Sequence, residues 1–308
     1  MKKDILTIKD LKKEEIEWLI LRGLELKKMG RDVNYRPFVG YVLGLLFDKA
    51  STRTRVSFEV AMLRLGGDTI FMSSKDTQLS RNESIEDTAR VLSRYLDCLA
   101  IRTYSQQVVE AMAKYADIPV INALTDKYHP CQVLSDIMTV KEKKGRVEGL
   151  RIAWVGDGNN VANSWINLAK KLDFELVLAC PEGCDPEELK DVTPNIRLVR
   201  DPKEAVKDAD VINTDVWVSM GQEEEAEKKR KLFHGYQVDR DLVNLAKPDV
   251  IVMHCLPAHR GEEITDDVMD GPNSVVFDQA ENKLYLHEAL LEMLLLKNER
   301  GFLWKQKR

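Results

Sequence analysis

Ten short apolar runs, separated by turns or helical patterns, constrain the fold more than any other feature. They are VGYVLGLLF, TIFM, CLAIRT, PVINA, RIAWVG, ELVLAC, IRLV, DVINTDV, DVIVMHC and SVVF. Helical patterns lie between them, as over 108–115 and 163–172. Strands alternating with helices predict an α/β fold of parallel sheets flanked by helices. At 308 residues the chain exceeds one small core and suits two domains. A helical stretch over 132–144, followed by KKGRVEGL, marks a break near residue 148. The expected domains are therefore 1–148 and 149–283, joined by interdomain helices. The last run, HEALLEMLLLKNERGFLWKQ, has a wide apolar face, so a helix over 284–308 should pack back on the first domain.

Charge and composition narrow the function classes. The net charge is −5 with both signs interspersed, which argues against a nucleic-acid partner. No apolar stretch reaches the about 18 residues a membrane span needs. The N-terminus, MKKDILTIKDLKKEEIEWLI, is interrupted by acidic residues before any signal-peptide core develops. Five cysteines with no leader point to reduced thiols and a cytoplasmic location. CPEGC, with Cys180 and Cys184, is half a zinc pattern without its second pair, so no metal is expected. In GQEEEAEKKRKL, acidic residues precede basic ones by four, as in Glu224–Lys228 and Glu227–Lys231, which describes a solvated helix face.

In ASTRTRVSFE, the five residues STRTR carry three hydroxyls and two guanidiniums where a strand hands over to a helix. Ligands of open α/β folds bind at the carboxyl ends of strands. A helix starting there offers free backbone N–H groups and a positive dipole end to an anion. Ser51 is the expected N-cap, Thr52 and Thr54 add hydroxyls, and Arg53 can fork onto two phosphate oxygens. Phe58, Met62 and Leu65 keep helical spacing and give the helix a core face. The same residues also describe a capped helix with surface ion pairs, Arg55 with Glu59. The stretch alone leaves both readings open.

Two further clusters end neighbouring strands. IRTY places Arg102 at a strand end, and HPCQ places His129 and Gln132 after the next one. Arg102 and His129 could both donate hydrogen bonds to a carbonyl oxygen, as an oxyanion site requires. In the second half, GDGNN follows a strand, but Val161 stands where a dinucleotide fingerprint wants a third small residue. DVWVSMG and HCLP also follow strands and bring a carboxylate, a hydroxyl and a thiol.

In this order and at these distances, STRTRVSFE, IRTY, HPCQ, GDGNN, DVWVSMGQEEE and HCLP resemble the aspartate/ornithine carbamoyltransferase family over nearly the whole chain. HPCQ, the SMG loop and HCLP resemble its ornithine-using branch. The resemblance implies a carbamoyl phosphate-binding first domain and an ornithine-binding second domain. It implies that Ser51, Thr52, Arg53 and Thr54 bind phosphate, while Arg102, His129 and Thr54 polarise the carbonyl and Gln132 holds the amide end. Gln78, in KDTQLSRNES, matches a glutamine lent to a neighbouring subunit, which implies a homotrimer with shared active sites, alone or in a larger assembly of trimers. Asn160, Asp215, Ser219 and Met220 match the ornithine positions, with the SMG loop closing over the ligand. Cys255 and Leu256 would sit at the reacting centre, the Leu256 carbonyl taking the carbamoyl NH₂. No metal or organic cofactor is implied.

One residue departs from the pattern. The family arginine after AEN, which contacts carbamoyl phosphate, is here Lys283, which keeps the charge and loses the bidentate fork, so weaker or differently oriented phosphate binding is expected there. His287 and Glu288, which follow it, read as helix surface. Three rivals remain: a carbamoyltransferase for putrescine or N-acetylornithine, a nucleotide-dependent dehydrogenase built on GDGNN, and a ligand-binding homologue without turnover. The dehydrogenase also lacks an acidic residue closing ELVLAC, where a ribose would need one.

Overall fold

The computed structural model describes residues 2–73, 77–190, 193–218 and 226–296. The chain divides into two compact units: Met1–Met138 with the chain from Asn282 on, and Thr139–Glu281. The first division falls inside a helix that runs unbroken from Pro130 to Lys144. Gly145, at φ +72°, ends that helix with its N–H on the Lys141 carbonyl, so the KK of KKGRVEGL closes the helix and its GRVEGL follows outside it, with a turn at 148–149.

The first unit holds helix α1 (Lys13–Met29) and a parallel sheet of β1 (Val42–Phe47), β2 (Asp68–Ser73), β3 (Cys98–Arg102) and β4 (Val120–Leu124), in the order β2-β1-β3-β4. Helices α2 (Arg53–Arg64), α3 (Ile85–Leu92) and α4 (Gln106–Tyr115) connect the strands, and α5 (Pro130–Lys144) leaves β4. β1 and β3 are buried because both of their neighbours are strands, so their sequences read as near-continuous apolar runs. Gly44 in β1 has a packing reason. A Cβ there would lie 2.4 Å from Leu96 Cδ1, so only glycine lets that side chain close over the sheet. Beside β4, Ile5 forms a parallel bridge with Ile121. The opposite edge, β2, leaves Ile70 48% and Phe71 37% exposed.

The second unit is a five-stranded parallel sheet of β5 (Arg151–Val155), β6 (Glu175–Ala179), β7 (Ile196–Val199), β8 (Val211–Thr214) and β9 (Ile251–His254), in the order β7-β6-β5-β8-β9. Its helices are α6 (Asn160–Ala169), α7 (Pro202–Val206), α8 (Ala226–Leu232), α9 (Arg240–Val243) and α10 (Asp266–Met269), and α11 (Val276–Leu295) follows. α6 is buried from Val161 to Ala169, including the polar side chains of Asn163, Ser164 and Asn167, which share one face of the helix. In α8, Glu227 and Lys231 make the expected exposed pair at 3.2 Å, while Glu224 lies outside the described residues.

Nine of the ten expected strands form among the described residues. SVVF does not. Ser274 makes only an isolated bridge to Val252, and Val276 already begins α11. Among the described residues no helix is long and apolar enough to cross a membrane.

Candidate active site

Parallel pairing brings the first unit's strand ends level. Phe47 pairs with Arg102 and Arg102 with Leu124, so the turn before α2, Arg102 and the loop to His129 all emerge at one sheet edge. A register shift between Ile101 and Arg102 marks this edge.

α2 starts at Arg53, one residue later than a Ser51 cap implies. Thr52 occupies the cap position with helical backbone (φ −82°, ψ −58°) and makes no side-chain capping bond. The Thr52 carbonyl accepts from Val56 N at 2.9 Å. The N–H groups of the first turn have no carbonyl a turn earlier to meet, which suits an anion. No acidic residue stands in that turn. The two arginines separate cleanly. Arg55 pairs with Glu59 at 2.9 Å and stacks on Phe71 at 3.5 Å, the structural role considered above. Arg53 makes no ion pair with another described residue.

Arg102 and His129 are both buried. Burial, with Lys283 and then Arg102 nearby, holds the His129 imidazole well below its usual pKa, so the ring is neutral. Gln132 sits in the first turn of α5, where its N–H reaches the His129 carbonyl at 3.1 Å. Its side chain accepts from Lys283 Nζ at 2.7 Å and donates to Asp136 at 2.8 Å. Gln78 lies apart from these bonds, exposed in the 3-10 turn Gln78–Arg81.

The second unit gathers its residues in the same way. Thr214 pairs with Val155 on one side and His254 on the other, so GDGNN, Asp215 and Cys255 leave three adjacent strands at one level. The glycines of GDGNN have backbone reasons. Gly156 has φ +142°, and a Cβ on Gly158 would lie 2.3 Å from the Cys184 carbonyl oxygen. Asp157 pairs with Lys229 at 2.8 Å, yet burial raises its pKa above the ordinary carboxylate value.

Asp215 is held on both oxygens. Oδ1 accepts from Val216 N at 2.8 Å and from the Cys255 thiol at 2.9 Å, and Oδ2 accepts from Asn159 Nδ2 at 2.8 Å. Asn159 also caps α6, its Oδ1 accepting from Val161 and Ala162. Leu256 has φ +60°, a conformation costly for a residue with a branched side chain. It is anchored by its N–H on His254 Nδ1 at 2.9 Å. With Nδ1 accepting, the ring proton lies on Nε2, which faces buried Glu263 at 3.0 Å.

Asn160 lies beside Asn159 at the start of α6. Ser219 and Met220 fall outside the described residues. Sequence reasoning missed Asn159, His254, Glu263 and Asp136. An Asn before a helical run is a capping signal, so Asn159 was findable. Glu263, nine positions beyond His254, carries no local signal. The reading of His287 and Glu288 as helix surface is corrected: they are 0% and 3% exposed. His287 stacks on Phe58 and bonds Ser57, while Glu288 meets Arg64 at 3.4 Å.

Comparison with known proteins gives the family. Residues 3–142 match the family described as aspartate/ornithine carbamoyltransferase, carbamoyl-P binding domain. Residues 148–294 match its Asp/Orn binding domain. The chain belongs to the aspartate/ornithine carbamoyltransferase family, which makes it a transferase. Within that family it is 55% identical to an ornithine carbamoyltransferase of Desulfotalea psychrophila, over 93% of this chain and 97% of that one. It is 52% identical to an anabolic ornithine carbamoyltransferase of Pyrococcus furiosus, covering 95% and 96%. A solved ornithine carbamoyltransferase structure from Pyrococcus furiosus superposes with a TM-score of 0.91 at 51% identity, covering 96% of this chain and 97% of that one.

Proposed function

We propose that the chain transfers the carbamoyl group of carbamoyl phosphate to the side-chain amine of L-ornithine, giving L-citrulline and phosphate. One observation carries the reading. The Arg53 turn, whose guanidinium makes no ion pair with a described residue, shares one sheet edge with Arg102 and a neutral His129 in the unit that matches the carbamoyl-P binding domain.

Ser51, Thr52, Arg53 and Thr54, with the first turn of α2, take the phosphate. Arg102, His129 and Thr54 donate to the carbonyl oxygen; a neutral imidazole still has one N–H to give. Gln132 holds the carbamoyl NH₂, and Lys283 adds a buried positive charge to the set. Asn160, Asp215, Ser219 and Met220 bind ornithine, and Cys255 and the Leu256 carbonyl flank the reacting carbon.

The amine must be neutral to attack, and a free amine of this kind has a pKa near ~10. Asp215 and Cys255 orient the amine and help manage its proton as it attacks. The nitrogen bonds to the carbamoyl carbon and gives a tetrahedral oxyanion that Arg102 and His129 stabilise. The carbon–oxygen bond to phosphate then breaks, and phosphate departs into the Arg53 turn. Losing one oxyanion donor costs about 3–4 kcal/mol of transition-state stabilisation.

A homotrimer in the cytoplasm completes the proposal, with Gln78 lent to the neighbouring subunit's site. The exposed edge strand β2, with Ile70 and Phe71, supports a covered edge in an assembly. The anabolic relative favours citrulline formation over its reversal.

The test is purified protein with carbamoyl phosphate and, separately, ornithine, putrescine, N-acetylornithine, lysine and aspartate, following phosphate and ureido product. Strong preference for ornithine is expected. Preference for another amine would overturn the acceptor assignment, and absence of product with all five would overturn the transferase reading.

A further inference from the structure

Gln132 lies between two buried charges of opposite sign. Lys283 Nζ is 2.7 Å from its Oε1, and its Nε2 is 2.8 Å from Asp136 Oδ1. All three residues are almost fully buried. An ammonium can only donate and an ionised carboxylate can only accept. The two ends of the Gln132 amide therefore cannot exchange. Turning it over would set NH₂ against NH₃⁺ and C=O against COO⁻ in a medium of low dielectric, where both contacts are strongly repulsive.

We propose that Lys283 is a positioning residue for donor recognition: it fixes the polarity of Gln132, so that Oε1 presents its remaining lone pair to the carbamoyl NH₂. The inference rests on the carbamoyl phosphate reading above and deepens it. A carbonyl oxygen has two lone pairs, and Lys283 uses one. The other suits an NH₂ donor and offers nothing to a methyl group of similar size. Carbamoyl phosphate and acetyl phosphate differ by that replacement. A buried acceptor left unpaired by the wrong ligand is a strong source of discrimination. Lys283 thus favours NH₂ over CH₃ through its hold on Gln132. A point charge is sufficient for this task, because one donor on one oxygen sets the polarity and no fork is needed.

The experiment measures the affinities of carbamoyl phosphate and acetyl phosphate for the full-length protein and for Lys283→Met, Lys283→Gln and Lys283→Arg. Carbamoyl transfer and Tm are followed in parallel. The unmodified protein should favour carbamoyl phosphate by about tenfold or more, the scale of one buried hydrogen bond. In Lys283→Met the ratio should fall toward one, mostly through weaker carbamoyl phosphate binding. Lys283→Gln, which fills the space and can present either polarity, should behave alike and serves if the methionine variant fails to fold. Lys283→Arg should restore the ratio. An unchanged ratio in folded Lys283→Gln overturns the inference while leaving the transferase reading intact. Absence of carbamoyl transfer by the unmodified protein overturns both.

Discussion

His287 Nδ1 lies 3.0 Å from Ser57 Oγ, and the Ser57 hydroxyl is 3.1 Å from the Thr54 carbonyl. The His287 ring also stacks on Phe58, with centroids 3.6 Å apart and planes 9° from parallel. α11 thereby grips the first turns of α2, where the proposed phosphate site begins. Ser57→Ala should raise KM for carbamoyl phosphate severalfold and leave KM for ornithine unchanged. His287→Phe should do the same, and the double variant should add little, because both break one contact. Steady-state kinetics with each substrate varied in turn would decide it; independent, additive effects would contradict the coupling.

Arg53 is the guanidinium of its helix turn without an ion pair to a described residue, whereas Arg55 is committed to Glu59 and Phe71. Arg53→Ala should cut kcat/KM by about 10²-fold or more with Tm nearly unchanged. Arg55→Ala should show the reverse ranking, with a modest stability loss and most activity kept. Near-native turnover in Arg53→Ala would sink the phosphate assignment.

Asn159 serves two structures at once, the α6 cap and the Asp215 carboxylate. Asn159→Ala should cost about 1 kcal/mol from the cap alone. Asn159→Asp keeps the cap and sets a second carboxylate against Asp215. It should therefore harm ornithine turnover more than the alanine variant while costing less at the cap. Denaturant melts alongside ornithine kinetics separate the two losses, and equal ranking in both assays would count against the clamp.

Burial raises the Glu288 carboxyl to about 7, against the opposing pull of Arg64. An acid with a raised folded pKa contributes its stability below the unfolded value of 4.5 and loses it progressively up to about 7. Glu288→Gln should therefore stabilise the protein at pH 8, by up to about 3 kcal/mol, and change little at pH 4. Urea titrations at the two pH values provide the check.

Much of this was legible in the sequence, for physical reasons that differ by residue. β1, β3 and β5 announce themselves because sheet interiors demand unbroken apolar runs. Arg102 with His129, and Asp215 with Cys255, were findable because parallel strands put their end residues on one edge of each unit's own sheet. SVVF misled because four apolar residues fit a strand or the start of a buried helix equally well. The Ser51 cap failed because the first intrahelical bond runs from Val56 N to the Thr52 carbonyl, which puts the cap one residue on. His287 and Glu288 looked like surface because polarity was their local signal. What buries them is Ser57 and Phe58 in one case and Arg64 in the other, more than 200 positions away. The Lys283–Gln132–Asp136 chain is hidden for the same reason, since Lys283 and Gln132 are 151 positions apart.

Asp215 receives an amide, a backbone N–H and a thiol before any amine arrives. In water a carboxylate is surrounded by dipoles that must turn whenever charge nearby changes. Here the dipoles are bonded into a strand end, a helix cap and a neighbouring loop, and they have nowhere to turn. Folding has therefore done the reorientation that solvent would otherwise have to do, and in the proposed reaction the amine would meet the same held carboxylate at every turnover.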